Sequence, residues 1–114
     1  DNVDFTEAQI LNTEFNNCTF NNSLLLQAKF AYCRFTDCDF TGCEGDTLSM
    51  LCDRFSRVHF SKSMLRCSQW QDCTFETTVF HHAQLSNAVF DCSRKGADFM
   101  GAETKNCSFK DENK

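Results

Sequence analysis

A large apolar residue recurs at every fifth position from Phe5 to Phe90, a spacing that few chain conformations tolerate. The row reads Phe5, Ile10, Phe15, Phe20, Leu25, Phe30, Phe35, Phe40, then Met50, Phe55, Phe60, Leu65, Trp70, Phe75, Phe80, Leu85 and Phe90, with Gly45 as its one interruption. One residue is lost near Lys95, and the row resumes one position earlier with Phe99, Thr104 and Phe109. All thirteen phenylalanines belong to it. An amphipathic helix repeats at 3.6 residues and a strand at 2, so a five-residue row drifts around a helix by about 140° at each step. Helix is excluded as the basis of the core.

Two residues before each large position stands a small one: Val3, Ala8, Thr13, Cys18, Ser23, Ala28, Cys33, Cys38 and Cys43 in the first half, then Val58, Ser63, Ser68, Cys73, Thr78, Ala83 and Ala88. Small and large at spacing two describe one face of a short strand. The chain must then turn before the pair repeats. A ribbon with a strand and a corner in every five residues buries its apolar face only by stacking coil on coil, which is the logic of a solenoid.

The units Ala28-Lys29-Phe30, Cys33-Arg34-Phe35, Cys38-Asp39-Phe40, Ala83-Gln84-Leu85, Ala88-Val89-Phe90 and Ala97-Asp98-Phe99 carry a family resemblance. The chain resembles the pentapeptide-repeat family over essentially its whole length. That resemblance implies an all-β fold, a right-handed quadrilateral β-helix with four repeats per coil, its small and large positions inward and the other three outward. On that basis 114 residues make five to six coils. A chain of this length is one domain, 1–114. The implied ring ladders are Phe15/Phe35/Phe55/Phe75 and Phe20/Phe40/Phe60/Phe80. Proline is absent, which suits a backbone whose amides bond to neighbouring coils.

Irregular corners are expected near 43–53 and 93–96. At Gly45 the large side chain is missing, and Leu48 at the next small position is sized to fill the gap. Asp53 occupies an inward position, where a lone carboxylate is costly, so a bulge across Leu51–Asp53 is expected to turn it outward. Ser93-Arg94-Lys95-Gly96 drops one residue and reads as a tightened corner, with Gly96 allowing a positive φ. The sequence opens inside a repeat without an initiator Met, signal peptide or hydrophobic span, and closes from Lys110 to Lys114 without a capping helix. The expectation is a segment of a longer protein or, failing that, a rod that dimerises end to end, because an open solenoid end exposes strand edges and core rings.

Nine cysteines invite metal or disulfide readings. Cys18, Cys33, Cys38, Cys43, Cys73 and Cys107 fall on the small inward position, where a thiol acts as a compact hydrophobe. Their spacing follows packing, and no close C-x₂-C pair of the zinc type occurs. Buried thiols in odd number point to a reducing compartment, read here as a bacterial cytoplasm, or a host cytosol if the chain belongs to a secreted effector. Cys52, Cys67 and Cys92 fall outward. His59, His81, His82 and Ser61 share one expected face without an orienting third group or a Gly-rich phosphate loop. No catalytic, cofactor-binding or metal residue is assigned, and the chain is read as non-enzymatic.

Function then rests on the outer faces. A net charge of −5 disfavours direct binding to nucleic acid or anionic membrane. An acidic docking patch is a candidate at Asp37, Asp39, Glu44, Asp46 and Asp53. The stronger candidate is an apolar contact set of Leu11, Leu24, Leu26, Tyr32 and Leu51, expected to converge with Ala31 on one corner. The partner is another protein or another part of the same chain. The resulting reading is a protein-interaction scaffold, the β-helix segment of a larger bacterial, effector-type protein. The alternative, implied by the resemblance, is a DNA mimic that protects DNA gyrase or topoisomerase IV and confers quinolone resistance. Such mimicry requires rows of carboxylates, whereas the outward column Glu14/Arg34/Arg54/Thr74 is mixed.

Overall fold

The computed structural model describes residues 3–110, so the two ends at which the sequence places uncapped repeats, 1–2 and 111–114, lie outside the described residues. Among those described there is no helix, only short strands and turns. Every strand pairing among the described residues is parallel, and as far as Asp91 each joins residues twenty apart: Ile10 with Phe30, Phe30 with Met50, Phe15 with Phe35, Phe35 with Phe55. Twenty residues per coil is four repeats of five, so each coil is a square with one repeat per side. The chain is a parallel β-solenoid.

The four sides are named here by their inward residues. The first carries Phe5, Leu25, Gly45, Leu65 and Leu85, the second Ile10, Phe30, Met50, Trp70 and Phe90, the third Phe15, Phe35, Phe55 and Phe75, and the fourth Phe20, Phe40, Phe60 and Phe80. On the second side, strands Gln9–Leu11, Lys29–Ala31, Ser49–Leu51, Gln69–Gln71, Val89–Asp91 and Ser108–Phe109 form a six-stranded sheet. On the third, Glu14–Asn16, Arg34–Thr36, Arg54–Ser56 and Thr74–Glu76 form a four-stranded one. The first and fourth sides are held mainly by single bridges such as Leu24 to Glu44 and Asp39 to His59.

Inside, the rings stack along the axis. Phe15, Phe35 and Phe55 lie 5.0 and 5.1 Å apart with planes within 10°, and Phe20, Phe40 and Phe60 follow at 4.7 and 4.8 Å. Trp70 and Phe90 continue the second side at 5.3 Å. Across the square, neighbouring piles meet edge to face, as Phe60 does with Trp70 at 5.3 Å and 88°. Both geometries are those favoured by the ring quadrupole.

The corners carry the conformational cost. From Glu7 to Asn87, the second residue after each large one is left-handed, with φ between 49° and 63° at every such position except Gly42, whose φ is 74°. For non-glycine residues this costs roughly 1–2 kcal/mol each. It is offset because these amides, that of Thr77 aside, bond to the next coil: Tyr32 N–H donates to Leu51 O at 2.9 Å, and Arg57 N–H to Glu76 O at 2.8 Å. Small inward residues help as well. The Cys38 thiol donates toward Phe15 O at 3.3 Å, the Ser63 hydroxyl to Phe40 O at 2.6 Å, and the Cys73 thiol toward Met50 O at 3.4 Å. Cysteine, serine and threonine are therefore more than fillers at this position, since they reach carbonyls of the adjoining coil.

The stretch 43–53 is regular, contrary to the sequence expectation. Glu44 bridges Met64, Gly45 N–H donates to Met64 O, and the strands Ser49–Leu51 and Arg54–Ser56 follow without a bulge. Side chains absorb the irregularity instead. Leu48 is fully buried, and a Cβ on Gly45 would lie 3.0 Å from Leu65 Cδ2 and 3.4 Å from Leu48 Cδ2. Asp53 also stays inward and has no exposed surface. Its Oδ1 accepts the Cys33 N–H at 2.8 Å, while Oδ2 is buried without a hydrogen-bond partner among the described residues. One strong backbone hydrogen bond, with protonation available, is a smaller disruption than breaking a ladder on two sides.

The shortened corner lies at 92–96. Pairing beyond it joins residues nineteen apart, Thr78 with Ala97 and Val89 with Ser108. Gly96 has φ +88°, and a Cβ there would sit 2.0 Å from Phe75 O, so only glycine fits. The lost residue also ends the pile on the third side, since no ring follows Phe75, whereas Phe99 continues the fourth side above Phe80 at 4.9 Å.

Two stability experiments follow. Phe60, fully buried between Phe40 and Phe80, should cost ~3–5 kcal/mol when changed to alanine, read from urea unfolding. Burial pushes the Asp53 carboxyl up from 3.8 to about 7 despite the hydrogen bond from Cys33. The folded chain therefore holds a proton that the unfolded chain releases near pH 4, and stability attributable to this group falls as pH rises from about 4 to about 7. Asp53→Ser, with the residue found at the equivalent positions Ser23, Ser63 and Ser68, should match or fall below wild type near pH 4 and exceed it at pH 8. Parallel urea midpoints for the two proteins across that range would refute the assignment.

Candidate functional site

With the core occupied by stacked rings, chemistry available to other molecules lies on the outward side chains, which the register sorts into columns. Leu11, Ala31 and Leu51 form one column at the trailing edge of the second side. Leu11 is 54% exposed, Leu51 half-buried, and Ala31 buried between them. Tyr32 stands at the next corner, 60% exposed, its ring thrown outward by a φ of 58°. These residues make one apolar edge.

Leu24 and Leu26 lie elsewhere. They flank the inward Leu25 on the first side, both half-buried, with Leu24 in a column between Asp4 and Glu44. The whole width of the second side, with its outward Gln9, Lys29 and Ser49, separates them from the Leu11 and Tyr32 edge. The five residues therefore form two groups rather than one corner patch. Sequence spacing alone hides this, because Leu26 and Leu11 border opposite edges of the same side. Met100, 60% exposed, was not among the sequence candidates; carrying the one-residue slip past Gly96 places it outward.

The acidic candidates are dispersed as well. Asp37 is gripped by Arg57 from the next coil, Nε to Oδ1 at 2.6 Å and Nη2 to Oδ2 at 3.1 Å, and this holds its carboxyl below the usual carboxylate range. Asp46 is likewise bound by Arg66, with Nη2 to Oδ2 at 2.8 Å. Asp39 accepts the Thr41 N–H at 2.9 Å on the fourth side, and Glu44 is exposed on the first. Asp53 points into the core and must be removed from any surface patch. Residues close in sequence become distant here because five positions turn the chain through a corner.

No disulfide joins the cysteines among the described residues. Burial raises the pKa of Cys33, Cys38, Cys73 and Cys107, and lifts Cys43 to about 11, so these groups stay protonated and unreactive. Cys52 is half-buried and Cys67 exposed, both at left-handed corners. Cys92, expected outward, is buried. Asn12, Tyr32, Cys52 and Asp72 below it turn left-handed, whereas Cys92 does not, because the shortened corner begins there. His81 Nε2 lies 2.9 Å from Asp98 Oδ2 and holds that carboxyl below its ordinary value. Among the described residues no group of three or more His, Cys, Asp or Glu is placed to hold a metal ion, and no helix is long and apolar enough to cross a membrane.

The third side is grooved, which the sequence did not signal. Two open depressions of about 330 and 340 Å³ run along it, and both are lined by Arg34 and Arg54. The first reaches Tyr32 and Cys52 at the corner, and the second reaches Thr74 and Glu76. A further opening of about 540 Å³ lies where the ring pile stops, between Phe75 and Gly96.

Comparison with known proteins bears on the fold. Among solved structures, a pentapeptide repeat protein from the Arabidopsis thaliana thylakoid lumen superposes with a TM-score of 0.66 at 16% identity, covering 79% of this chain and 60% of that one. This chain thus spans less than two thirds of the plant protein. The pentapeptide repeat protein Rfr23 from the cyanobacterium Cyanothece 51142 gives 0.57 at 7% identity, over 95% of this chain and 89% of the other. QnrB1, a plasmid-mediated fluoroquinolone resistance protein, is matched at 0.34 with 16% identity, over 99% and 88%. A search of curated proteins finds no match. The model of the pentapeptide repeat region matches residues 13–90; with more than half its length so matched and parallel coils of twenty residues, shortened to nineteen only in the last, the chain belongs to the pentapeptide-repeat family.

Proposed function

We propose that this chain is a non-enzymatic protein-interaction scaffold whose outer faces present contact residues to another protein. The observation that carries the reading is the apolar edge, where Leu11 and Tyr32 are more than half exposed in adjacent coils beside Leu51. A rigid β surface displaying large apolar side chains together is the usual mark of a protein contact, and it loses little conformational entropy on binding. Pentapeptide-repeat solenoids are generally structural and interaction proteins, which fits this reading. The proposal extends to a β-helical segment of a larger bacterial, effector-type protein, by analogy at the level of fold. Thiols not joined in disulfides throughout the core suit a reducing compartment.

The DNA-mimic reading ranks second on charge. Mimicry of a duplex asks for carboxylates aligned along one face. Here Asp37 and Asp46 are engaged by Arg57 and Arg66, and the third side carries Arg34 and Arg54.

The pair Leu11→Asp with Tyr32→Ala should reduce partner capture in a pull-down at least tenfold while leaving the urea midpoint within experimental scatter. Leu24→Asp, on the separate first-side group, should have the smaller effect. Unchanged capture by the Leu11/Tyr32 variant removes that edge as the site. In a supercoiling assay with a quinolone, stoichiometric chain should give no protection of gyrase; rescue would replace the scaffold reading with mimicry.

A further inference from the structure

We infer that Arg34 and Arg54 form a two-arginine clamp for the carboxylates of an extended acidic segment of a partner protein. The inference deepens the scaffold reading and rests on it. Its starting point is the pairing of unlike and like charges twenty residues apart. Arg57 and Arg66 each meet an aspartate in the preceding coil, Asp37 and Asp46, in two-point contacts with shortest approaches of 2.6 and 2.8 Å. Arg54 meets Arg34 instead, directly opposite it in parallel register on the third side. Neighbouring strands are ~4.8 Å apart, and like charges facing one another across a pair of strands oppose folding. Arg34 has only a long contact to Glu14, 3.9 Å from Nη1 to Oε2, with both side chains more than half exposed. Above Arg54 the column continues with Thr74.

Shape adds a second, independent observation. The arginines do not stand on a flat face: both line each of the two adjoining depressions on the third side. A chain lying along these troughs passes both guanidiniums, and a carboxylate between them accepts hydrogen bonds from two planar donors in the geometry arginine favours. Tyr32, exposed at the end of the first trough, joins the clamp to the apolar edge. An acidic segment fits between the two guanidiniums despite the chain's net charge of −5, because at physiological salt the Debye length is ~8 Å, and the carboxylates that also line the troughs, Glu14 in the first and Glu76 in the second, lie on the strands to either side of the arginine pair. The repulsion between Arg34 and Arg54 is relieved when the carboxylate arrives, so the ligand supplies a close counterion between the two arginines, which Glu14, 3.9 Å from Arg34 on the far side of the pair, does not.

The test uses the full chain and a fluorescein-labelled extended peptide alternating glutamate with threonine, followed by anisotropy. Saturable binding is expected, with the glutamine-for-glutamate peptide failing to bind. Arg54→Gln and Arg34→Gln should each weaken binding about tenfold or more, as loss of a charged hydrogen-bond partner does, whereas Lys62→Gln, at an exposed corner elsewhere, should not. Arg54→Gln should also fold with an equal or higher urea midpoint. Equal binding by the double variant Arg34→Gln/Arg54→Gln overturns the clamp, as does equal binding of the glutamine peptide. Displacement of the peptide by inorganic phosphate at matched concentration overturns the peptide assignment in favour of a general anion site, and displacement by duplex DNA does so in favour of nucleic acid. If the arginine variants bind the peptide normally while Leu11→Asp/Tyr32→Ala abolishes partner capture, the clamp fails and the scaffold reading stands. The opposite pattern upholds the clamp and removes the apolar edge.

Discussion

The stacking distance of aromatic rings and the spacing of hydrogen-bonded strands are nearly equal, and the rest of this solenoid depends on that coincidence. Parallel strands sit ~4.8 Å apart, while ring centroids in the piles of the third and fourth sides lie 4.7 to 5.4 Å apart. A phenylalanine at a fixed position in every coil therefore packs without tilting the backbone. The ladder of amides and the column of rings reinforce one another, so losing either would splay the coils. Where the large side chain is absent, at Gly45 on the first side, a leucine from the neighbouring position closes the gap and the ladder passes through unchanged.

That double ladder also makes the corners possible. A left-handed residue at nearly every fifth position is expensive in isolation, and glycine fills few of these positions. The cost is met because nearly every corner amide finds a carbonyl in the coil beyond, and because cysteine, serine and threonine at the small position reach carbonyls in the coil before. The same economy explains Asp53. With Cys33 N–H available to its carboxylate, keeping the side chain inward preserves both sheets, and the burden falls on protonation rather than on backbone geometry.

Such a framework leaves the outer faces free to vary, and here they are varied in distinct ways. Two corners are locked by arginine and aspartate pairs that join successive coils. The second side ends in an apolar edge at Leu11 and Tyr32. The third side carries two arginines opposed across its sheet and the grooves beside them. The apolar edge and the arginine column adjoin at Tyr32 and Arg34, so a partner crossing that corner would meet both.

From the sequence alone came the inward set, the five-residue period, the exclusion of helix and, with the family resemblance, the square coil. These were legible because a solenoid core is written locally: every inward residue is set by its place within its own repeat. Gly96 and the dropped residue were visible for the same reason. The outer surface was not legible, because its neighbours are twenty residues apart and meet only after four corners. Thus Leu24 and Leu26 separated from Leu11 and Tyr32, Asp37 and Asp46 were claimed by Arg57 and Arg66, and Cys92 turned inward where the coil shortened. Asp53 inverted its expected direction because the amide that donates to it, Cys33 N–H, belongs to the coil below. Period determines which side chains are buried; the stacking of whole coils decides which exposed ones become partners.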